Sequence, residues 1–326
     1  MRQKLFAAAV FSIISTVLYS QEEAVKPPGF FSKYTFSLSA STGLWYGHTE
    51  ELVYQNGESS DYISELIWEL KPVLNLGVEF ELALRRPMEQ QGFFLNLRGK
   101  FGLPNESGLM LDSDWTDSSN MKLRTHYSEQ ENHTHTAILL GGSTGWNFPV
   151  MARAAIKLYV NLAYRYFAFS AQNGYLDYPS GIKNIYGEVI TFKQIFSSFT
   201  SGLSCYIKLA NMFALEVFGD AGFVFYYDDE DFHQARAGGQ DFGLQYHDYS
   251  NNGIEYNVGA KFHVLFNSNL ALIAGFRYSG ITNVRGYSEV RYMTIGTEKP
   301  DWSKPSYTAG AALSLFDIDC TFKITY

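Results

Sequence analysis

Cysteine is nearly missing from this chain. Only Cys205 and Cys320 occur among 326 residues, each inside an alternating polar and apolar segment and neither in a metal-ligand spacing. A disulfide-stapled fold or a cysteine metal centre therefore has no support, and both thiols are expected to pack as small apolar groups. Long apolar runs are as scarce. The one present, "LFAAAVFSIISTVLY", follows Arg2 and Lys4 and precedes "SQEE". A charged start, apolar middle and small-residue exit are the marks of a secretory signal peptide, with cleavage expected near Ser20. Residues 1–20 are thus expected to be removed, and no candidate transmembrane helix is left. No low-complexity linker divides the remainder, so 21–326 is expected to be a single domain. Positive charge is also in deficit: losing the two cations Arg2 and Lys4 takes the formal net charge from -8 to -10. An acidic chain argues against nucleic acid and for cationic partners. Nor does "GKFGLPNESG" have the residue order of a phosphate-binding loop.

What the chain does have is aromatic residues, 17 % of the total, with 28 Gly and a mean hydropathy of only -0.13. That combination suits a transmembrane β-barrel. In "IKLYVNLAYRY", Ile156, Leu158, Val160, Leu162, Tyr164 and Tyr166 fall on one face, and Lys157, Tyr159, Asn161 and Arg165 on the other. "IEYNVGAKFHVLF" repeats the pattern, with Glu255, Asn257, Lys261 and His263 on its polar side. Strands of a soluble sandwich are typically about five or six residues long, and these run well past that. The final "DIDCTFKITY" alternates to a terminal aromatic, as a closing barrel strand does.

The fold class is therefore all-β: an antiparallel transmembrane barrel of about ten strands, projecting above the outer membrane. The strands begin near Tyr34, Ser64, Gly92, Thr134, Ala155, Val189, Phe213, Ile254, Leu270 and Tyr307. Arg98 and Lys100, Glu216 and Asp220, and Lys157 and Arg165 fall on polar faces. Charges of both signs in so narrow a barrel are expected to pair and fill it.

Two stretches could carry chemistry. Between the third and fourth strands, "GLMLDSDWTDSSN" sets Asp112 and Asp114 two residues apart, so an extended backbone points both carboxylates to one side. In "YYDDEDFHQARAGG", Asp231 and His233 have the same spacing. A carboxylate beside an imidazole fixes its tautomer and raises its basicity, which suits proton abstraction from water. Either stretch alone reads first as a solvated acidic loop, since spacing by itself is weak evidence. His133 and His135 share a face without further ligand spacing, so no metal site is expected. His263 is expected to be an inward polar residue of its strand.

Together these stretches resemble the omptin family of outer-membrane proteases. "DSDWTDSSN" is similar to that family's acidic pair followed by Trp and a Ser-Ser-Asn run, "DEDFH" to its Asp-x-Asp-x-His, and "HTEELVY" to its Thr-x-Glu-x-Val-Tyr. The resemblance implies an endopeptidase. Asp112 and Asp114 would be a catalytic pair, His233 the general base, Asp231 its orienting partner, and water the nucleophile, with no acyl-enzyme and no cofactor. Glu51 and Asp229 would form the acidic pocket for a basic side chain before the scissile bond. Met110 and Ile190 would line neighbouring subsites.

The implied substrates are cationic peptides or proteins, met on the extracellular side of a bacterial outer membrane whose lipid surrounds the barrel. Three positions depart from the family pattern. His126 stands where the family has a further acid. Tyr166 and Ile195 stand where it has outward arginines for lipopolysaccharide, so dependence on that lipid is doubtful. The rival readings are a non-catalytic adhesin or receptor on the same barrel, and a small channel. Strict alternation along the seventh strand from Phe213 to Tyr227 would send Asp229, Asp231 and His233 toward lipid. A β-bulge or turn between Tyr226 and Asp229 is therefore predicted.

Overall fold

The computed structural model describes residues 34–326 other than 56–61, 85–90, 118, 121, 235–241, 295–300 and 306. The expected signal peptide lies outside the described residues. The elements are β1 (Thr35–Gln55), β2 (Tyr62–Ala83), β3 (Gly92–Gly102), β4 (Asn105–Asp114), β5 (His126–Met151), β6 (Ala154–Tyr178), β7 (Gly181–Lys208), β8 (Phe213–His233), β9 (Phe242–Ser250), β10 (Ile254–Leu265), β11 (Leu270–Thr294) and β12 (Tyr307–Thr325). The strands pair antiparallel, and β1 pairs with both β2 and β12, which closes the sheet on itself.

Twelve segments make ten staves. β3 and β4 share one stave, both lying between β2 and β5, and β9 and β10 share another between β8 and β11. The first stave is interrupted at Leu103–Pro104, where proline has no N–H to give the ladder. The second is interrupted at Asn251–Gly253, and Gly253 has φ +139°, a backbone that favours glycine.

Eight of the expected strand starts fall within two residues of an observed one. The other two strands begin earlier, at His126 rather than Thr134 and at Gly181 rather than Val189. The added segments, "HYSEQENH" and "GIKNIYGE", stand above the apolar band. Water wets the outer face there, so nothing imposes polar and apolar alternation. For the same reason Asp112 and Asp114, expected in a connection, lie within β4.

A membrane crossing needs about 9–11 tilted residues, whereas β6 has 25 and β7 has 28. The surplus stands clear of the bilayer. Exposed apolar side chains mark the crossing part: Leu38 and Leu44 on β1, Phe93 and Leu97 on β3, Leu158 and Leu162 on β6, Val258 and Phe262 on β10, Phe316 and Ile318 on β12. This band lies toward the end with the tight turns, and Cys320 faces outward within it while Cys205 is half-buried, both as free thiols.

Inside the band the charges pair. Arg165 holds Glu255 through two bonds of 2.9 and 2.6 Å, and Lys100 reaches Asp317 and Asp319 at 2.5 Å each. Removing one partner of a buried pair such as Arg165–Glu255 costs about 3–5 kcal/mol. His263 is buried, 3.6 Å from Glu216. Below this layer is a charged cavity of about 680 Å³.

Above the charged layer the interior is apolar. Trp68 stacks on Phe192 at 4.9 Å and on Phe169 at 5.6 Å, and Phe169 stacks on Phe167 at 6.0 Å. Such pairs contribute about 0.5–1.5 kcal/mol each beyond their buried area. Trp45, Met110, Phe196, Tyr227, Val284 and Leu313 extend the cluster around the ring. A filled barrel, rather than an open pore, is the result.

Candidate active site

The aromatic stack is the floor of a cleft, and strand register fixes what stands on it. Met110 in β4 lies opposite Trp68 in β2, and Asp112 lies opposite Leu66, one inward-facing step closer to the rim. Across the interior, Asp231 in β8 lies opposite Phe192 in β7, and His233 lies opposite Ile190, again one step rimward. Because Trp68 and Phe192 stack face to face, Asp112 and His233 rise from opposite walls at the same level. Asp114 is the next inward position above Asp112. Met110 and Ile190 are buried in the floor beside them.

The dyad is formed within one strand. His233 Nε2 lies 2.5 Å from Asp231 Oδ2, with both side chains buried. A donating Nε2–H leaves Nδ1 as the imidazole's acceptor. Tyr246 packs edge-on to the ring with centroids 5.5 Å apart.

What turns these residues inward is a bulge, two positions earlier than predicted. Ser198 of β7 pairs with Val224 and Ser197 with Tyr226, so Phe225 is the extra residue. Phe223, Phe225 and Tyr226 all face outward, and parity then reverses: Ala214, Phe218, Asp220 and Val224 are buried before it, Tyr227, Asp229, Asp231 and His233 after it. Tyr227, placed on the lipid face by strict counting, is inside. The adjacent stave breaks at Asn251–Gly253 on the same level, and Val224 N donates to Gly253 O at 3.0 Å.

A second wall carries the acids. Thr49 of β1 donates its hydroxyl to Gln194 Oε1 of β7, and Gln194 is the register partner of Asp229. Gln194 thus ties β1 to β7 and brings Glu51, two residues beyond Thr49, toward Asp229. Tyr227 donates its hydroxyl to Asp229 Oδ2, while Asp229 Oδ1 and Glu51 Oε2 are buried without a hydrogen-bond partner. Burial, reinforced by Asp231, Asp229, Asp248 and Asp112, pushes the Glu51 carboxyl well above the usual range. Burial and Asp248 do the same to Asp229. The charges of Asp112 and Asp231 both act on Glu51, so both walls lie within electrostatic reach of it.

Sequence reasoning missed Asp248 altogether. It is buried in β9 directly across from Asp229, and burial with the charge of Asp231 pushes it up to about 7. Tyr227 and Gln194 were missed as well. His126, at the departing position, lies opposite Asp114 and packs edge-on against Tyr178 at 4.6 Å. His135 Nε2 lies 2.8 Å from the Ser170 hydroxyl. Tyr166 and Ile195 are register partners on β6 and β7.

A closed antiparallel barrel with an outward apolar band, carrying an imidazole and several buried carboxylates near one rim, is a transmembrane β-barrel with a candidate site for acid–base chemistry. Residues 32–316 match the Omptin family, and the chain belongs to it; its coarse class is that of an outer-membrane protease. In fold it is similar to OmpT, the outer membrane protease of Escherichia coli, with a TM-score of 0.77 and 19% identity over 93% of this chain and 100% of that one. More distant barrels are the Pseudomonas putida toluene transporter TodX (TM-score 0.31, 9% identity, 92% and 91% covered) and the transport unit of the Escherichia coli autotransporter AIDA-I (0.33, 10%, 94% and 95%). Comparison with curated protein sequences gave no match.

Proposed function

We propose that the protein is an endopeptidase of the bacterial cell surface that cleaves cationic peptides or proteins after Arg or Lys, with its cleft open to the extracellular side. His233 takes a proton from water, Asp231 orients the imidazole and stabilises the imidazolium, and Asp112 with Asp114 holds the water from the facing wall. The carbonyl carbon is attacked directly, so no acyl-enzyme forms. Glu51 and Asp229 receive the basic side chain before the scissile bond, and Met110 and Ile190 bound the adjacent subsites.

One observation supports this reading above the others: Asp112 and the His233–Asp231 dyad stand at one level on opposite sides of the Trp68–Phe192 stack. A non-catalytic adhesin or receptor has no chemical need for a buried imidazole and carboxylate facing a second carboxylate across a cleft. A channel needs a polar path, and the aromatic cluster fills the interior between the rim and the charged layer.

The test is incubation of the refolded barrel with a library of basic and neutral peptides, followed by mass mapping of the cuts. Cuts after Arg and Lys are expected; cuts mainly after Leu or Phe, or none, would remove the pocket assignment. Lipopolysaccharide dependence is proposed to be weak, because Tyr166 and Ile195 cannot give charge-assisted bonds to phosphate. Turnover in detergent should change little when lipopolysaccharide is added. Strict dependence would mean that other residues bind it, the exposed Lys193 beside Ile195 being the first to examine.

A further inference from the structure

Asp229 and Asp248 are direct cross-strand partners. Like charges at such positions destabilise a sheet, and the chain keeps both in a site 1% exposed. Asp248 Oδ1, Asp229 Oδ1 and Glu51 Oε2 all lie buried with no hydrogen-bond partner. The three carboxyls come from separate staves, β1, β8 and β9. Around Asp248 stand Asp229, Asp231 and Tyr227 on β8, Tyr246 on its own strand, Ser288 opposite on β11, Glu51 on β1 and Tyr307 on β12. Tyr227 satisfies one oxygen of Asp229. Among the described residues no lysine or arginine forms an ion pair with any of the three acids.

Three buried carboxyls with open acceptor positions, and with no ion-paired lysine or arginine among the described residues, cannot all ionise cheaply. We propose that Asp248 is a third, specificity-determining carboxylate of the cation pocket, and that a basic substrate side chain enters by displacing a proton shared among Glu51, Asp229 and Asp248. The proton passes to bulk solvent, and the incoming guanidinium or ammonium takes over its role. Burial of Glu51, Asp229 and Asp248 raises the affinity of all three for that proton, in keeping with the scheme. The inference rests on the proposed pocket for basic residues and adds to it a residue and a pH dependence. Binding should strengthen as pH rises through the range where Asp248 loses its proton. The dyad acts on a different quantity, since His233 governs the chemical step.

Matched peptides carrying Arg or its neutral isostere citrulline before the scissile bond separate the two ideas. In the wild-type protein kcat/KM should favour Arg, and KM for the Arg peptide should fall between about pH 6 and pH 8. In Asp248→Asn the Arg preference should drop by roughly tenfold or more and the fall in KM should vanish, while the pH profile of kcat keeps its shape. Asp248→Glu should restore both. If the wild type favours Arg but Asp248→Asn keeps the preference and the KM profile, this inference fails and the pocket reading stands. If the wild type does not distinguish Arg from citrulline, both fail. Calorimetry on the wild type alone avoids reliance on any variant folding. Titration with benzamidine at pH 6, in buffers of different ionisation enthalpy, should release about one proton; none released would overturn the scheme.

Discussion

The smallest decisive unit is the side-chain pair His233–Asp231. Its hydrogen bond leaves one ring nitrogen free, and the residue that could hold a water for it, Asp112, sits on another wall. His233→Ala and Asp112→Ala should therefore each lower peptide cleavage by about 10² to 10⁴-fold, the usual contribution of general-base catalysis. Heat-modifiable migration in electrophoresis would verify that the barrel still forms. Wild-type turnover in a folded His233→Ala variant would sink water activation by this residue. The meeting of Asp231 and His233 was legible in the sequence because a spacing of two puts both side chains on one face of a strand, whereas the roles given to them came from the family resemblance. Asp248 was not legible. In "LQYHDYS" the face of the aspartate depends on pairing with β8 across the connection at 234–241, and no local pattern supplies that register.

At the level of the element, β8 carries both membrane and site, and a single extra residue separates the two. Alternation located the problem but not its position. Phe225 and Tyr226 are adjacent aromatics, either of which suits an outward place, and only pairing with Ser197 and Ser198 identifies Phe225 as the insertion. Deleting Phe225 should remove the bulge yet leave Asp229, Asp231 and His233 pointing inward, because Tyr226 then takes the outward place after Val224, whereas deleting Asp228 keeps the bulge and should turn all three outward. The expected outcome is that both variants insert and migrate as folded species, and that only the Asp228 deletion stops cleaving basic peptides. Normal turnover in the Asp228 deletion would show that the upper strand sets its own register. The ten staves, by contrast, were readable from end to end wherever lipid faces the chain, because lipid enforces the period. Where water wets the outer face, as at His126–His133 and Gly181–Glu188, the pattern faded and the strands were drawn eight residues short.

For the molecule as a whole, the site sets a pH dependence of stability whose sign follows from linkage. Asp248 titrates at about 7 in the folded barrel and near the ordinary aspartate value of about 3.9 once unfolded. Between those values the folded state keeps a proton that the unfolded chain has released, so stability falls as pH rises. The contribution is intact below the unfolded value and fully lost above the folded one, a difference on the order of 4 kcal/mol for this residue. Glu51 and Asp229, raised by burial and mutual repulsion, act in the same direction. Wild type and Asp248→Asn should therefore have similar thermal midpoints near pH 4. The variant should pull ahead as pH approaches 8, because it no longer has to ionise a buried acid beside Asp229 and Asp231. Benzamidine should close that gap by stabilising the wild type more at pH 8 than at pH 4. A variant less stable than wild type at pH 8 would mean that the Asp248 carboxylate holds the rim together, and that these acids are a structural network rather than a pocket for a cation.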